Sequence, residues 1–309
     1  MKLNSIQLVV VTGAGSGIGQ ATAERFATRG ARVIVSDINE TAAEATVATI
    51  SARGGTAFSR RLDVTDPTEF DEFAHWVHVE HGVPDLVVNN AGIGILGETI
   101  STTEDDWDRI IGINLLGVIT GARLFAQQMI DSGRPGHIVN IASAAAFLPI
   151  PNLASYSTTK YAVKVLTDCI RAELSPSKIG VSVICPGVIK TNIFAAAEHP
   201  GTTDEDADRR SQVAGKGTDR LRDLRLISGP ETVAKAVELA VRWNLGTVLV
   251  RPEAFAIYAL RRISPTALRS IASLVFGSRT LELLFRLSDR PLITRIIGNP
   301  LPADSPQNP

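Results

Sequence analysis

Short apolar runs rich in valine and isoleucine recur along the chain. A longer stretch with apolar residues at helical spacing follows each of them. The runs predict strands at residues 6–12, 32–37, 56–62, 85–89, 137–142, 180–185 and 247–250. Most are continuously apolar, as strands are when helices cover both faces of a parallel sheet. The intervening segments predict helices at 20–29, 40–53, 67–81, 104–130, 155–174 and 230–243. Strand and helix in strict alternation imply right-handed crossovers, and hence one doubly wound α/β sheet of about seven strands flanked by helices. Ligands on such a sheet bind beyond the carboxyl ends of the strands, where the strand order reverses.

Two regions break the rhythm. Residues 188–228 contain no predicted strand and carry three alanines at 195–197, an acidic patch at 204–206 and basic residues after it. A long segment of this kind inside a compact domain is functional or mobile. Residues 251–309 follow the last strand, so the chain divides into a domain at 1–250 and a helical extension at 251–309. The extension has eight arginines, no lysine and four acidic residues, a formal +4. Leu268, Ile271, Ala272 and Val275 share one helix face. Leu281, Leu284 and Phe285 continue at similar spacing, as do Ile293, Ile296 and Ile297, with Pro265 and Pro291 separating the pieces. Three arrangements stay open for it: packing on the domain or on a partner subunit, a lid over a substrate mouth, and docking on an anionic membrane surface.

Composition narrows the class. The 309 residues are 44% hydrophobic and 20% charged, which is globular rather than disordered. A net charge of -1 argues against a nucleic-acid partner. Cys169 and Cys185 form neither a CxxC pair nor a metal cluster with the five histidines, so no metal is expected. They read as two buried thiols in a reducing compartment. The apolar run Leu8–Val11 is too short for a signal-peptide core or a membrane span. The expected setting is cytoplasmic, with peripheral membrane contact through 251–309 left open.

The first strand runs into Thr12-Gly13-Ala14-Gly15-Ser16-Gly17-Ile18-Gly19 and then a helix. Glycines here permit positive φ, let a phosphate approach the backbone and let helix and strand pack closely. The helix N-terminus adds free N–H groups and partial positive charge, which suits a pyrophosphate. Asp37 stands at the end of the second strand, where a carboxylate takes the adenosine ribose hydroxyls and repels a 2′-phosphate. Ile38 and Asn39 supply no cation beside it. NAD is therefore preferred over NADP.

Tyr156 and Lys160, four apart at the start of a predicted helix, share one helix face. A neighbouring ammonium favours the phenolate and lowers the tyrosine pKa, giving an acid/base that works nearer neutral pH. Ser143 sits at the carboxyl end of the 137–142 strand, and the next helix brings Tyr156 to the same rim. Asn114 lies in the helix of the preceding crossover. Together they offer a hydroxyl for a substrate oxygen, an acid/base, a cation and a polar relay.

On these residues the chain resembles the short-chain dehydrogenase/reductase family over roughly residues 5–250. The family's TGxxxGxG pattern stands at Thr12–Gly19. Its Asn-Asn-Ala-Gly stretch stands at Asn89, Asn90, Ala91 and Gly92, and its Pro-Gly turn at Pro186 and Gly187. Its catalytic asparagine, serine, tyrosine and lysine match Asn114, Ser143, Tyr156 and Lys160. The resemblance implies a Rossmann-type fold and a homodimer or homotetramer. It implies that Tyr156 is the general acid/base, that Lys160 lowers its pKa and holds the nicotinamide ribose, that Ser143 polarises the carbonyl and that Asn114 supports a water relay. It further implies adenine contact at Asp63, followed by Val64. Asn90 and Gly92 would line the cofactor near its ribose, and Ile189 and Thr191 would hold the carboxamide. The extension at 251–309 departs from the short members of the family.

Substrate-pocket residues are expected at Ile93, Ile95, Leu96, Ala144, Ala145, Ala146, Phe147, Leu148, Ile150, Phe194 and the alanine run. Some of these equally suit plain core positions. An apolar pocket suits a lipid-, terpenoid- or steroid-like alcohol or ketone. Two other functions stay open: a non-catalytic NAD-binding regulator, and an isomerase, epimerase or lyase with tightly held NAD.

Overall fold

The computed structural model describes residues 1–190, 193, 197 and 228–276, with side chains through Leu274. Seven parallel strands form one sheet: β1 Leu8–Thr12, β2 Arg32–Asp37, β3 Thr56–Arg61, β4 Leu86–Asn89, β5 His137–Ile141, β6 Gly180–Pro186 and β7 Thr247–Val250. Their order is β3-β2-β1-β4-β5-β6-β7. The chain starts in the middle, builds outward to β3, then returns to place β4 against β1 and builds the other way. The β1/β4 junction is thus the reversal point at which a crevice opens.

Side chains alternate across the central strands. Val9 and Val11 of β1 pack with Phe26, Val233 and Val237 on one face. Leu8 and Val10 pack with Phe70, Phe73 and Phe125 on the other. β1, β4, β5 and β6 are buried at every position, which explains their mostly apolar sequences. The edge strand β3 is partly exposed and carries Arg60 and Arg61.

The helices α1 Gly17–Ala27, α2 Glu40–Ala52, α3 Pro67–Trp76, α4 Glu104–Ile111, α5 Gly117–Asp131, α6 Ala154–Leu174 and α7 Pro230–Trp243 cover the sheet. Local chemistry starts several of them. Asn39 caps α2 by accepting from the Ala42 N–H, and Asp66 caps α3 ahead of a proline at its first position. Thr103 and Asp106 form a reciprocal capping box at α4. The single helix predicted at 104–130 is interrupted by a π-turn, Gly112–Leu116, which carries Asn114. The segment Glu104–Asp131 is long and apolar enough to cross a membrane by composition, yet α5 lies on the sheet with Phe125 and Met129 in the core.

Residues after β7 are more than an appendage. Helix α8, Pro252–Ile263, sets Tyr258 edge-to-face on Phe147 at 5.0 Å, and Arg261 donates to the Phe147 carbonyl oxygen at 3.2 Å. Helix α9, Pro265–Phe276, buries Leu268 and Ala272 but leaves Ile271 exposed, so the predicted stripe is only partly covered. The remaining apolar positions of the extension, from Leu281 to Ile297, lie outside the described residues. Cys185 is buried as expected, whereas Cys169 is exposed on α6.

His137 on β5 is buried, and burial pushes its pKa down to about 3. Ser182 donates to the Leu245 carbonyl oxygen, so its hydroxyl accepts from His137 Nε2–H at 2.8 Å, fixing the tautomer. A folded-state pKa below the ordinary 6.5 gives stability that is present above 6.5 and is lost as pH falls toward 3. Between pH 7 and 5 this group removes about 2 kcal/mol. His137→Gln keeps a donor for Ser182 and is expected to flatten the pH slope of denaturant unfolding by that amount. Because His81 shifts in the same direction, the difference in slope between variant and wild type is the readout. Identical slopes would remove His137 as the sensor.

Candidate active site

The cleft at the reversal point has a volume of about 370 Å³ and runs from Asp37 and Asp63 to Tyr156 and Lys160. Its floor is the glycine turn. Gly13 has φ +61° and Gly17 φ +55°, which side-chain-bearing residues rarely adopt. A Cβ on Gly13 would lie 2.7 Å from the Ala91 Cα, and one on Gly19 would overlap the Gly13 carbonyl oxygen. Ser16 makes no side-chain capping bond, so the first N–H groups of α1 open toward the cleft, where Gly13, Ser16, Gly17 and Ile18 line it. Gly15 and Gly19 stand behind this surface. The Gly15 N–H donates to Asp37 Oδ2 at 2.9 Å and the Asn39 N–H to Oδ1 at 3.0 Å, which fixes the carboxylate at the cleft's end.

The Asn-Asn-Ala-Gly stretch is stitched to this turn. Thr12 Oγ1 accepts from the Asn90 and Ala91 N–H groups at 3.1 and 3.2 Å. Asn90 Nδ2 donates to the Thr12 and Gly13 carbonyl oxygens at 3.0 and 2.9 Å. Asn90, Ala91 and Gly92 line the cleft, but the Asn90 amide is committed to the loop beneath. Asp63 and Val64 line the Asp37 end, where Asp63 Oδ1 accepts from Thr65.

Ser143, Tyr156 and Lys160 meet at the other end. Ser143 follows β5, and its hydroxyl is hydrogen-bonded to the Tyr156 side chain. The Ala145 N–H donates to Ser143 Oγ at 3.1 Å, which holds that oxygen in place. Lys160, one turn along α6, lies 5.7 Å from the Tyr156 ring centroid and donates from Nζ to the Ile141 carbonyl oxygen at 3.1 Å. Asn114 is buried behind them. Its Oδ1 accepts from the Ile93 N–H at 2.9 Å, while Nδ2 donates to the Ile93 carbonyl oxygen at 3.0 Å and to Thr159 Oγ1 at 3.3 Å. Its side chain therefore braces the cleft wall rather than facing the cleft.

Burial dominates the electrostatics of the pair. Burial pushes the Tyr156 phenol up to about 12, with the Ser143 hydrogen bond acting weakly the other way. Burial likewise pulls the Lys160 ammonium down to about 8. Desolvation disfavours the charged form of each group. Tyr156 is therefore a neutral phenol at pH 7, with burial acting against the lowering expected from its lysine.

Pro186, Gly187 and Ile189 line the cleft after β6. Thr191 and Phe194 lie outside the described residues. The expected pocket residues Ile95, Ala144, Ala145, Ala146 and Phe147 are core, each no more than 9% exposed. Ile93 lines the cleft as expected, and further apolar lining comes from Ile113, Ile141, Ile189 and Ile193. Ile38, Leu62 and Ile113, also in the lining, carry no chemistry that singles them out in the sequence. Each is the sequence neighbour of a candidate polar residue, Asp37, Asp63 or Asn114, and that adjacency is the one signal that points to them. Among the described residues no group of three His, Cys, Asp or Glu side chains is placed to hold a metal.

Comparisons agree with this geometry. Residues 7–200 match the family model described as short chain dehydrogenase. "Probable oxidoreductase EphD" of Mycobacterium tuberculosis is 47% identical over 270 residues, covering 86% of this chain but 45% of that protein. The chain thus spans about half the length of that relative. "1-deoxy-11-beta-hydroxypentalenate dehydrogenase" of Streptomyces avermitilis is 35% identical over 69% of this chain and 82% of its own. A short chain dehydrogenase/reductase from Burkholderia phymatum, solved in complex with NAD, superposes with a TM-score of 0.76 at 30% identity, covering 87% of this chain and 97% of its own. A metagenomic short-chain oxidoreductase in complex with NADP gives 0.64 at 30% identity, covering 81% and 99%.

Proposed function

The chain belongs to the short chain dehydrogenase family, and from that premise we propose that it is an NAD-dependent oxidoreductase interconverting a secondary alcohol and a carbonyl on an apolar substrate. One observation carries the reading: a hydroxyl, a phenol and an ammonium converge at one end of a cleft whose other end holds a fixed carboxylate. The cleft suits a dinucleotide. Asp37 would take the adenosine ribose hydroxyls and Asp63 would meet the adenine, while a helix N-terminus offers N–H groups to a pyrophosphate. Gly13, Ser16, Gly17, Ile18, Asp37, Asp63, Asn90, Gly92 and Lys160 would hold it. When bound, NAD supplies the hydride acceptor or donor.

The chain's own groups handle the substrate oxygen. In reduction Ser143 holds the carbonyl oxygen by hydrogen bond, and the Tyr156 phenol gives it a proton as negative charge develops. In oxidation Tyr156 takes the proton back. Lys160 stabilises the phenolate that forms, and Asn114 keeps the Ile93 wall in register. The isoleucine lining suits a lipid-, terpenoid- or steroid-like substrate, and the name of the Streptomyces relative supports that class. A homodimer or homotetramer and a cytoplasmic setting belong to the same reading.

Asp37 carries the preference for NAD, since a fixed carboxylate repels a 2′-phosphate and neither Ile38 nor Asn39 offsets it. The test is stoichiometric NADH and NADPH turnover across apolar alcohols and ketones, from short chains to steroids. Wild type is expected to use NADH, and Asp37→Ala to lose about tenfold in NADH affinity, as removal of a charged hydrogen-bond acceptor predicts. The variant's relative affinity for NADPH should rise. An unchanged NADH-to-NADPH ratio removes Asp37 from this role. NADH that binds wild type without any turnover moves weight to a regulator.

A further inference from the structure

Beyond the residues that touch the cleft, Arg251 has an unusual backbone. It follows β7 with φ +86° and ψ 150°, a region that residues with side chains rarely occupy. The conformation turns the chain sharply into α8 and aims the side chain back across the strand ends. Arg251 Nε donates to Glu253 Oε1 at 2.6 Å, and Nη1 donates to Ser228 Oγ at 2.5 Å. The Arg251 and Glu253 side chains are both partly buried.

The two partners reach the cleft wall through the backbone. Glu253 Oε1 also accepts from the Val188 N–H at 3.3 Å, and a Cβ on Gly187 would lie 2.5 Å from that same oxygen. Ser228 pairs with Ile189 in a parallel bridge, and its carbonyl oxygen accepts from the Lys190 N–H at 3.0 Å. Below them the Gly187 N–H donates to the Val250 carbonyl oxygen at 3.0 Å. The short run 186–189 is thus held by β7 beneath, by Glu253 at one point and by Ser228 at another. Arg251 ties the last two together. Pro186, Gly187 and Ile189 line the cleft beside Ser143, whereas Arg251, Glu253 and Ser228 do not.

We infer that Arg251 and Glu253 are a positioning pair that sets the nicotinamide-end wall of the cleft by fixing residues 186–189, without touching the ligand. The inference rests on the dehydrogenase reading. A glycine at 251 would adopt the observed φ without strain, so the sequence keeps an arginine there at a conformational cost. Helix stabilisation alone does not explain this, because an acidic residue in the first turn of α8 needs no arginine two residues before it.

The test uses the full chain and two probes, NADH and ADP-ribose, the second lacking only the nicotinamide ring. Arg251→Gly and Glu253→Ala are expected to bind NADH about tenfold more weakly, with ADP-ribose affinity within twofold of wild type. The melting temperature of Arg251→Gly should not fall. Glu253→Gln keeps an oxygen acceptor for both N–H donors and is expected to restore most NADH affinity. Unchanged NADH binding in Arg251→Gly, or equal losses for NADH and ADP-ribose, overturns the inference. A wild type that binds ADP-ribose no better than background, and NADH no better, overturns the dehydrogenase reading beneath it.

Discussion

Tyr156→Phe is expected to lower kcat at least a thousandfold while NADH affinity stays within a few-fold of wild type. The substitution deletes one hydroxyl from a side chain that is 4% exposed and otherwise packs with Ile95, Ile110 and Leu153. Ring packing survives, and Ser143 keeps its bond from the Ala145 N–H, so little stability is lost. The proton donor, however, disappears, and among the described residues nothing else with a transferable proton near neutral pH shares that end of the cleft except Lys160. General acid/base catalysis supplies about 10²–10⁴-fold, and loss of an oxygen-polarising hydrogen bond adds to it. The pH behaviour follows from the phenol's position at about 12. Below that value Tyr156 is protonated and ready as an acid, so carbonyl reduction should hold steady across neutral pH. Alcohol oxidation needs the phenolate, so its rate should climb from pH 7 to 9. The measurement is NADH turnover in both directions for wild type and variant, with NADH binding followed by fluorescence. A variant with more than a tenth of wild-type turnover would exclude Tyr156 as the acid/base.

Much of this site can be read from the chain because its parts lie at strand ends, and strand ends are visible as the points where apolar runs stop. Thr12, Asp37, Asn89 and Ile141 each close a strand. The reversal point then follows from topology. What stays hidden depends on contacts between distant segments. Helical spacing looks the same on either side of Asn114, so the π-turn that aims its amide at Ile93 leaves no trace in periodicity. Phe147 and the alanines at 144–146 have the composition of a pocket or a core, and only three-dimensional burial assigns them to the core. The grip of α8 on the site edge rests on Tyr258 meeting Phe147 and on Glu253 meeting Val188, pairs far apart in sequence. The Tyr156 pKa escapes a sequence reading for a related reason. Spacing puts an ammonium near the phenol, but the depth of burial, which decides the sign here, is a property of the folded core.

That sign leads to the second large effect, at Lys160. Its ammonium is 2% exposed, and burial brings its pKa from 10.5 to about 8. Between those two values the unfolded chain holds a proton that the folded protein does not, so stability rises with pH across the window. Below pH 8 the full cost of the buried charge remains, about 3 kcal/mol, since each tenfold loss of proton affinity on folding costs about 1.4 kcal/mol. Methionine has similar length and no charge, and its main loss is the bond to the Ile141 carbonyl oxygen, about 1 kcal/mol, beside the ammonium's contact with the Tyr156 ring. Lys160→Met is therefore expected to be more stable than wild type at pH 7 by about 2 kcal/mol, with the gap closing as pH rises from 8 toward 10. Turnover should move oppositely and fall at least a hundredfold, because the phenolate that Tyr156 must become would be buried with no other cation among the described lining residues at that end of the cleft. Unfolding by denaturant at pH 7 and 9.5, paired with NADH turnover, separates the two consequences. If the variant is both less stable and still active, Lys160 is a packing residue. If it is more stable and inactive, the protein holds a costly buried charge because the chemistry of the cleft requires it.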